Sequence, residues 1–141
     1  MELTRNECID LHNALMEMEI AAYENGTIAS KNYFDGDTTF RIIFNRKVLK
    51  PIVDDVTEIH NTKVKEYSDA TNPNMVSQEH ITEFNNAISE YRKEKVNVEL
   101  KTIKYNKLNI SDGEAQNKQN RITVTAMQGL MPILIDIPES K

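Results

Sequence analysis

The apolar positions of this chain change their spacing between residues 77 and 108. From Ser77 to Arg92 they recur every three or four residues, which predicts an amphipathic helix. From Val96 to Leu100 they alternate with polar residues, which predicts a half-buried β-strand. A helix that leads directly into a strand indicates a folded α+β domain and excludes a disordered tail.

A helix is also predicted at the start of the chain. It begins with a capping box, Thr4-Arg5-Asn6-Glu7, in which the Thr4 and Glu7 side chains each accept a hydrogen bond from the other's backbone amide. Its apolar residues cover a wide arc, so we expect it to pack between two neighbours. We expect it to end at Asn25-Gly26, where a left-handed residue is available.

A second, longer helix is predicted from Thr38 to about Tyr67, followed by a turn-rich connector from Ser68 to Val76. Pro51 lies inside it and predicts a kink or a restart, because proline removes one backbone hydrogen bond. The main alternative is a short strand over Thr38–Phe44, where β-branched and aromatic residues cluster. The fold class is therefore mainly helical α+β, with antiparallel helices and a small β-strand or hairpin element.

The strand after residue 95 needs a partner, because an isolated strand is unstable. The sequence leaves three partners open: Thr38–Phe44, a second copy of the chain, or a strand of another protein. A bulge near Lys101-Thr102 would continue the strand to Tyr105. If the edge of this strand is free, another protein can bind there by adding a strand of its own. The residues of this candidate edge site are Val96, Val98, Leu100, Lys101 and Lys104.

The last third of the chain combines a polar segment with a short apolar one. Residues 109–121 are polar and are predicted to form a mobile loop. The apolar residues that follow predict a short helix capped near Thr123 or Thr125, which Gly129 and Pro132 weaken. With 141 residues in total, we predict a single domain over residues 1–141.

The composition predicts a cytoplasmic protein. Cys8 is the single cysteine and cannot form an internal disulfide, which favours a reducing compartment. The N-terminal residues lack the basic and apolar regions of a signal peptide. No stretch approaches the roughly 20 apolar residues of a membrane span, so we expect no membrane contact.

Negative charge is concentrated in the first helix. The net charge is −5, and residues 1–24 carry six acidic side chains against one arginine. Such a helix suits a basic protein surface, although solubility is the commoner role of exposed charges. The lysines and tyrosines between residues 91 and 107 are the one place where a nucleic acid would fit, and a guarded strand edge explains them better. The candidate partner-binding acids are Asp10, Glu17, Glu19 and Glu24.

The sequence contains no complete catalytic or metal motif. Cys8 and His12 are one helical turn apart, but two ligands do not make a metal site. Asp54, Asp55 and Glu58 form the closest carboxylate cluster and support a metal-dependent enzyme as an alternative. Glycine-rich phosphate loops and nucleophile elbows are missing from the sequence. We therefore predict no catalytic residue, no cofactor and no metal site.

Five segments in order carry a resemblance to a known family. They are the helix pattern Leu3–Leu15, the segment Asn45–Pro51, the pair Glu83–Ile88 and Val96–Ile103, and the closing segment Ile122–Ile135 with its Met-Pro step. Their order resembles a family of short, uncharacterised proteins encoded by tailed bacteriophages of Gram-positive bacteria. The resemblance implies a phage origin and the cytoplasm of an infected host. It implies no activity, because the family has none assigned.

Together these features predict a non-enzymatic phage accessory protein that acts by protein–protein binding. One such role is inhibition of a host defence protein, as anti-CRISPR proteins do. The partner would be a host or phage protein and not a nucleic acid. The alternative is a virion or tail-assembly component, for which homo-oligomers are expected; the metal-dependent enzyme is a second alternative.

Overall fold

The protein is a mainly helical α+β fold, as predicted. The computed structural model describes residues 1–19, 22–24, 27–30, 34–110, 120 and 122–138. Within these residues the helices are α1 (Arg5–Glu19), α2 (Gly36–Glu66), α3 (Ile81–Lys93) and α4 (Val124–Leu130). The strands are β1 (Glu2–Thr4), β2 (Ala22–Glu24), β3 (Thr27–Ser30), β4 (Ser68–Asp69), β5 (Asn72–Val76), β6 (Lys95–Asn97), β7 (Ile103–Lys104) and β8 (Leu134–Ile135).

Helix α1 begins at the predicted capping box. The Thr4 amide donates to Glu7 Oε1 at 3.0 Å, and the Glu7 amide donates to Thr4 Oγ1 at 3.1 Å. The helix packs against both α2 and α4, which confirms the prediction of two neighbours. Its buried face supplies much of the core, with Leu11 and Leu15 fully enclosed.

The predicted end of α1 is wrong. The helix stops at Glu19, and Ala22–Glu24 form β2, which pairs antiparallel with β3. Asn-Gly between two strand-forming segments is the commonest hairpin signal, because both residues tolerate positive φ. Asn25 and Gly26 themselves lie outside the described residues. The dipeptide therefore separates two strands of a hairpin in this sequence and does not end the helix.

Helix α2 is continuous through Pro51, so the alternative strand over Thr38–Phe44 is wrong, as is a restart at the proline. Asp35 caps its start, because its carboxylate accepts the Thr38 amide at 2.7 Å. Hydrogen bonds from the Thr38 backbone and side chain, with a further one from Lys107, hold the pKa of Asp35 at about 2, below its ordinary value of 3.8. Beyond α2, the predicted connector is a hairpin in which β4 pairs with β5.

The strand that follows α3 pairs with the N-terminus of the same chain. Strand β6 runs antiparallel to β1, with Leu3 opposite Val96, so its partner within the chain is β1 and the expected pairing with Thr38–Phe44 is wrong. The strand ends at Asn97, and its predicted continuation through a bulge is wrong. The segment instead crosses to α2, where Arg41 Nη1 donates to the Thr102 carbonyl at 2.7 Å. Strand β7 then pairs in parallel with β8.

The predicted C-terminal helix is confirmed as α4. Thr123 is its N-cap and accepts the Ala126 amide at 3.1 Å. Most of the predicted mobile loop, residues 111–119 and 121, lies outside the described residues. At its end, Asn120 is buried, and its Nδ2 donates to the Leu108 carbonyl at 2.7 Å. Its backbone amide donates to the Asn109 carbonyl, so the end of the polar segment is fixed to its beginning.

One apolar core joins these elements. Helices α1, α2 and α4 and the segments around β7 and β8 contribute to it. Of the helices in the described ranges, none has the length and apolar character required to cross a bilayer. The fully buried core side chains are Leu11, Leu15, Met18, Ile42, Leu49, Ile103, Leu108, Leu130, Ile133 and Cys8.

Candidate functional site

A groove of about 560 Å³ lies between α1 and α4. One wall is a face of α1, and the other is α4 with the short 3₁₀ turn Met131–Ile133 that follows it. We call it the α1–α4 groove. Its lining residues are Glu7, Asp10, Asn13, Ala14, Glu17, Thr125, Ala126, Gln128, Gly129, Met131 and Pro132.

The α1 wall carries three carboxylates on one helical face. Glu7, Asp10 and Glu17 are spaced by three and seven residues, so they lie above one another. Glu7 is partly engaged by the capping box, and Glu17 accepts the Thr123 hydroxyl at 2.9 Å. Asp10 is exposed and has no hydrogen-bond or ion-pair partner among the described residues. Asp10 is therefore available to a partner.

The opposite wall is apolar at its C-terminal end. Met131 is 53% exposed, and Pro132 follows it at the rim. The same terminal segment exposes further large apolar side chains, namely Val124, Ile135 and Ile137. Methionine suits such a position because its flexible thioether adapts to differently shaped partners. The groove therefore offers charge on one side and apolar surface on the other.

The floor of the groove depends on Gly129. A Cβ atom placed on Gly129 would lie 2.7 Å from the Asp10 carbonyl oxygen and 3.1 Å from the Ala14 Cβ. Only glycine therefore allows α4 to approach α1 this closely. The sequence pattern indicated Gly129 only as a helix-weakening residue, and no local signal marked it as a contact.

The groove has a negative electrostatic field. Among the described residues that line it, none is Lys, Arg or His, so the three carboxylates face no basic side chain of the described chain there. Like charges on one helix face repel each other, and a basic partner relieves that repulsion. The arrangement of these carboxylates can bind a cationic surface.

The four predicted acidic residues lie at different places in the structure. Asp10 and Glu17 line the groove, as a shared binding face requires. Glu19 forms an ion pair with Arg46 of α2, because the 100° rotation per residue places it on another side of α1. Glu24 belongs to β2 and not to the acidic helix, so placing it on that helix is wrong.

The residues of the predicted edge-strand site do not form one continuous strand. Val96 pairs with Leu3, and Val98 is buried with its amide bonded to the Met1 carbonyl. Leu100 and Lys101 lie outside any strand, and Lys104 belongs to β7. The chain leaves the sheet after Asn97, so the alternating residues that follow do not extend the strand. The strand edge is therefore limited to β6.

The Cys8 thiol and the His12 imidazole, both on α1, are buried. Burial, and next the charge of Glu7, raises the pKa of the Cys8 thiol, so it stays protonated and unreactive near neutral pH. Burial, and next the charges of Arg46 and Lys50, lowers the pKa of His12. His12 is 9% exposed, and its Nδ1 has no hydrogen-bond partner in the described part of the chain.

The carboxylates of the alternative metal site do not converge. Asp54 is held by Lys50 at 2.8 Å on the exposed side of α2. Asp55 and Glu58 are exposed as well. Within the ranges that the structure describes, no three His, Cys, Asp or Glu side chains are grouped in a way that could hold a metal ion.

Comparison of the chain with protein-family models, with curated proteins and with solved structures finds no match. The geometry of the α1–α4 groove therefore carries the functional argument.

Proposed function

We propose that this chain is a non-enzymatic binding protein whose α1–α4 groove receives a basic, partly apolar segment of another protein. The observation that carries the proposal is that Asp10, which has no hydrogen-bond or ion-pair partner among the described residues, lines the groove together with two further carboxylates and the exposed Met131. The combination of negative charge with exposed apolar surface is typical of sites for cationic amphipathic segments.

The two walls have different roles in this proposal. The carboxylates attract a positively charged surface and speed its encounter with the groove, an effect that salt screens. Apolar contact with Met131 and Pro132 then removes surface from water and slows dissociation. Charge therefore selects the partner, and apolar burial holds it.

The biological role we propose follows from the phage resemblance. A phage protein with an acidic groove has the charge to engage a host protein whose basic surface normally binds nucleic acid. Inhibition of a host defence nuclease is the clearest example. In this role the protein occupies a basic surface and has no need to contact nucleic acid itself.

The test is a quantitative capture experiment from a lysate of a Gram-positive host. The baits are the wild-type chain, Asp10→Lys in the groove, and Asp55→Lys on the exposed side of α2. The two variants change the net charge equally, but only the first changes the groove. We expect a specific protein with a basic surface to be captured by the wild type and by Asp55→Lys and to be lost with Asp10→Lys.

Two results would contradict the proposal. If Asp10→Lys captures the same protein as strongly as the wild type, the groove is not its binding site. If mass spectrometry finds the chain as a stoichiometric component of purified phage particles and the lysate captures are insensitive to Asp10, the assembly role replaces the binding role.

A further inference from the structure

A second cavity, of about 400 Å³, lies where the start of α1, the C-terminal third of α2 and one face of α3 meet. The described residues that line it are all different from those that line the α1–α4 groove. Its polar lining residues are Asn6, His60, Asn85, Ser89 and Arg92. No carboxylate is among its described lining residues, although the protein as a whole is acidic.

Arg92 is the unusual group in this cavity. Its Nε is buried and has no hydrogen-bond partner within the described residues. Arg46 Nε is buried without a partner as well, but Arg5, Arg41 and Arg46 each pair with a carboxylate, whereas Arg92 pairs with none in the described part of the chain. A guanidinium nitrogen that is removed from water without gaining a hydrogen-bond partner is destabilising, so Arg92 lacks an acceptor for one of its N–H groups.

The side chains around Arg92 also supply donors. Ser89 lies one turn before it on α3, and Asn85 one turn before that, so the three lie on one face. His60 approaches from α2, with its ring centroid 5.4 Å from that of Phe84 in an edge-to-face arrangement. A guanidinium, a hydroxyl, an imidazole and an amide around one space are suited to an oxyanion.

We infer that this cavity binds the phosphate group of a small molecule. Arginine binds phosphate through two parallel N–H groups, and the remaining oxygens need several further donors, which Ser89, Asn85 and His60 provide. The volume exceeds that of a bare phosphate ion, so room remains for a small organic part beside Phe84 and Ile88. This inference is independent of the proposed function, because the described linings of the two sites have no residue in common.

The test is a titration of the ¹⁵N-labelled protein, followed by amide chemical shifts. The probes are inorganic phosphate, glycerol 3-phosphate and acetate in separate titrations. We expect saturable shifts confined to the amides of Asn6, His60 and residues 84–92 with both phosphates. Glycerol 3-phosphate is expected to bind more tightly than inorganic phosphate, and acetate more weakly than either.

Matched variants make the result specific. Arg92→Gln removes the guanidinium, and Lys93→Gln makes the same charge change at an exposed neighbour outside the cavity. Asn85→Asp adds a carboxylate to the lining, and Asn86→Asp adds one beside it. We expect Arg92→Gln and Asn85→Asp to weaken phosphate binding about tenfold or more. Lys93→Gln and Asn86→Asp are expected to change it by less than about twofold.

Asn85 and Asn86 are both exposed, so this pair of variants tests the site even if Arg92→Gln unfolds the protein. The inference is overturned if neither phosphate causes saturable shifts in the cavity, if acetate binds as tightly as phosphate, or if Asn85→Asp and Asn86→Asp behave alike.

Discussion

The side chain of Asn45 hydrogen-bonds to both backbone polar groups of Lys101. Its Nδ2 donates to the Lys101 carbonyl at 2.8 Å, and its Oδ1 accepts the Lys101 amide at 2.7 Å. Asn45 is fully buried in α2, so the bonds form away from competing water. An amide side chain thus replaces the strand partner that the backbone lacks after it leaves β6.

Replacing Asn45 with Ala should destabilise the protein. Both hydrogen bonds are lost, and two backbone groups of Lys101 are left without partners, so we expect a loss of about 2–4 kcal/mol in the free energy of unfolding. Urea denaturation measures it. Asn61→Ala, at an exposed position of the same helix, is the control and should change stability by less than about 0.5 kcal/mol. Equal effects of the two substitutions would contradict this role for Asn45.

The sequence predicted the features that depend on near neighbours. Thr4 with Glu7, and Thr123 with Ala126, are separated by three residues, and their capping bonds follow from local pattern. Contacts between distant residues could not be predicted in this way. The partner of Val96 is Leu3, and hydrophobic alternation shows that a strand needs a partner without indicating which one.

Part of the groove could also be predicted, because it depends on spacing within one helix. The spacing of Asp10 and Glu17 places them on one face of a helix before any tertiary contact is known. The second wall could not be predicted from the sequence, because Gly129 and Met131 reach α1 only when α4 packs against it. The pairing of Glu19 with Arg46 is likewise a tertiary contact.

The close packing of α4 on α1 predicts that Gly129→Ala is destabilising. The new methyl group would lie 2.7 Å from the Asp10 carbonyl oxygen, so one helix must move, at a cost of about 1–3 kcal/mol. Gly36→Ala is the matched control, because nothing lies within 4 Å of the added atom at the exposed start of α2. It should leave stability unchanged or raise it by up to about 1 kcal/mol. Thermal denaturation compares the two, and a harmless Gly129→Ala would refute the close approach.

Burial of His12 predicts that the protein is less stable in mild acid. Burial, with Arg46 and Lys50, lowers the pKa of His12 from 6.5, while Asp54 and Glu19 oppose the shift. As the pH falls from about 6.5 toward the lower pKa of the folded state, the unfolded chain binds a proton at this residue more readily than the folded chain, so the free energy of unfolding falls over that range.

The measurement is urea denaturation at about pH 7.5 and about pH 5.5. His12→Leu fills a similar volume without a titrating group, so it should reduce the difference between the two pH values. His80→Gln, at an exposed position, is the control. A pH dependence that His12→Leu leaves unchanged would show that this residue is not its source.

Arg5 connects the start of α1 to the end of α3, and its removal should destabilise the protein. Its Nη1 donates to the Tyr91 carbonyl at 3.0 Å and to Glu94 Oε2 at 2.7 Å, and the guanidinium lies 3.9 Å from the centre of the Tyr91 ring. We expect Arg5→Ala to cost about 1–3 kcal/mol in denaturation experiments. Glu94→Gln should cost less than about 1 kcal/mol, because Glu94 is 62% exposed. The reverse order would mean that the ion pair, and not Tyr91, carries the contact.

The proposed binding function depends most on the negative charge of the α1–α4 groove. Its most direct test is the dissociation constant of the captured partner for the wild type, Asp10→Lys and Asp55→Lys at low and high salt. We predict that Asp10→Lys raises the constant about tenfold or more, that Asp55→Lys raises it less than about threefold, and that added salt weakens wild-type binding. If both variants bind like the wild type, or both weaken binding equally, the groove is not the binding site.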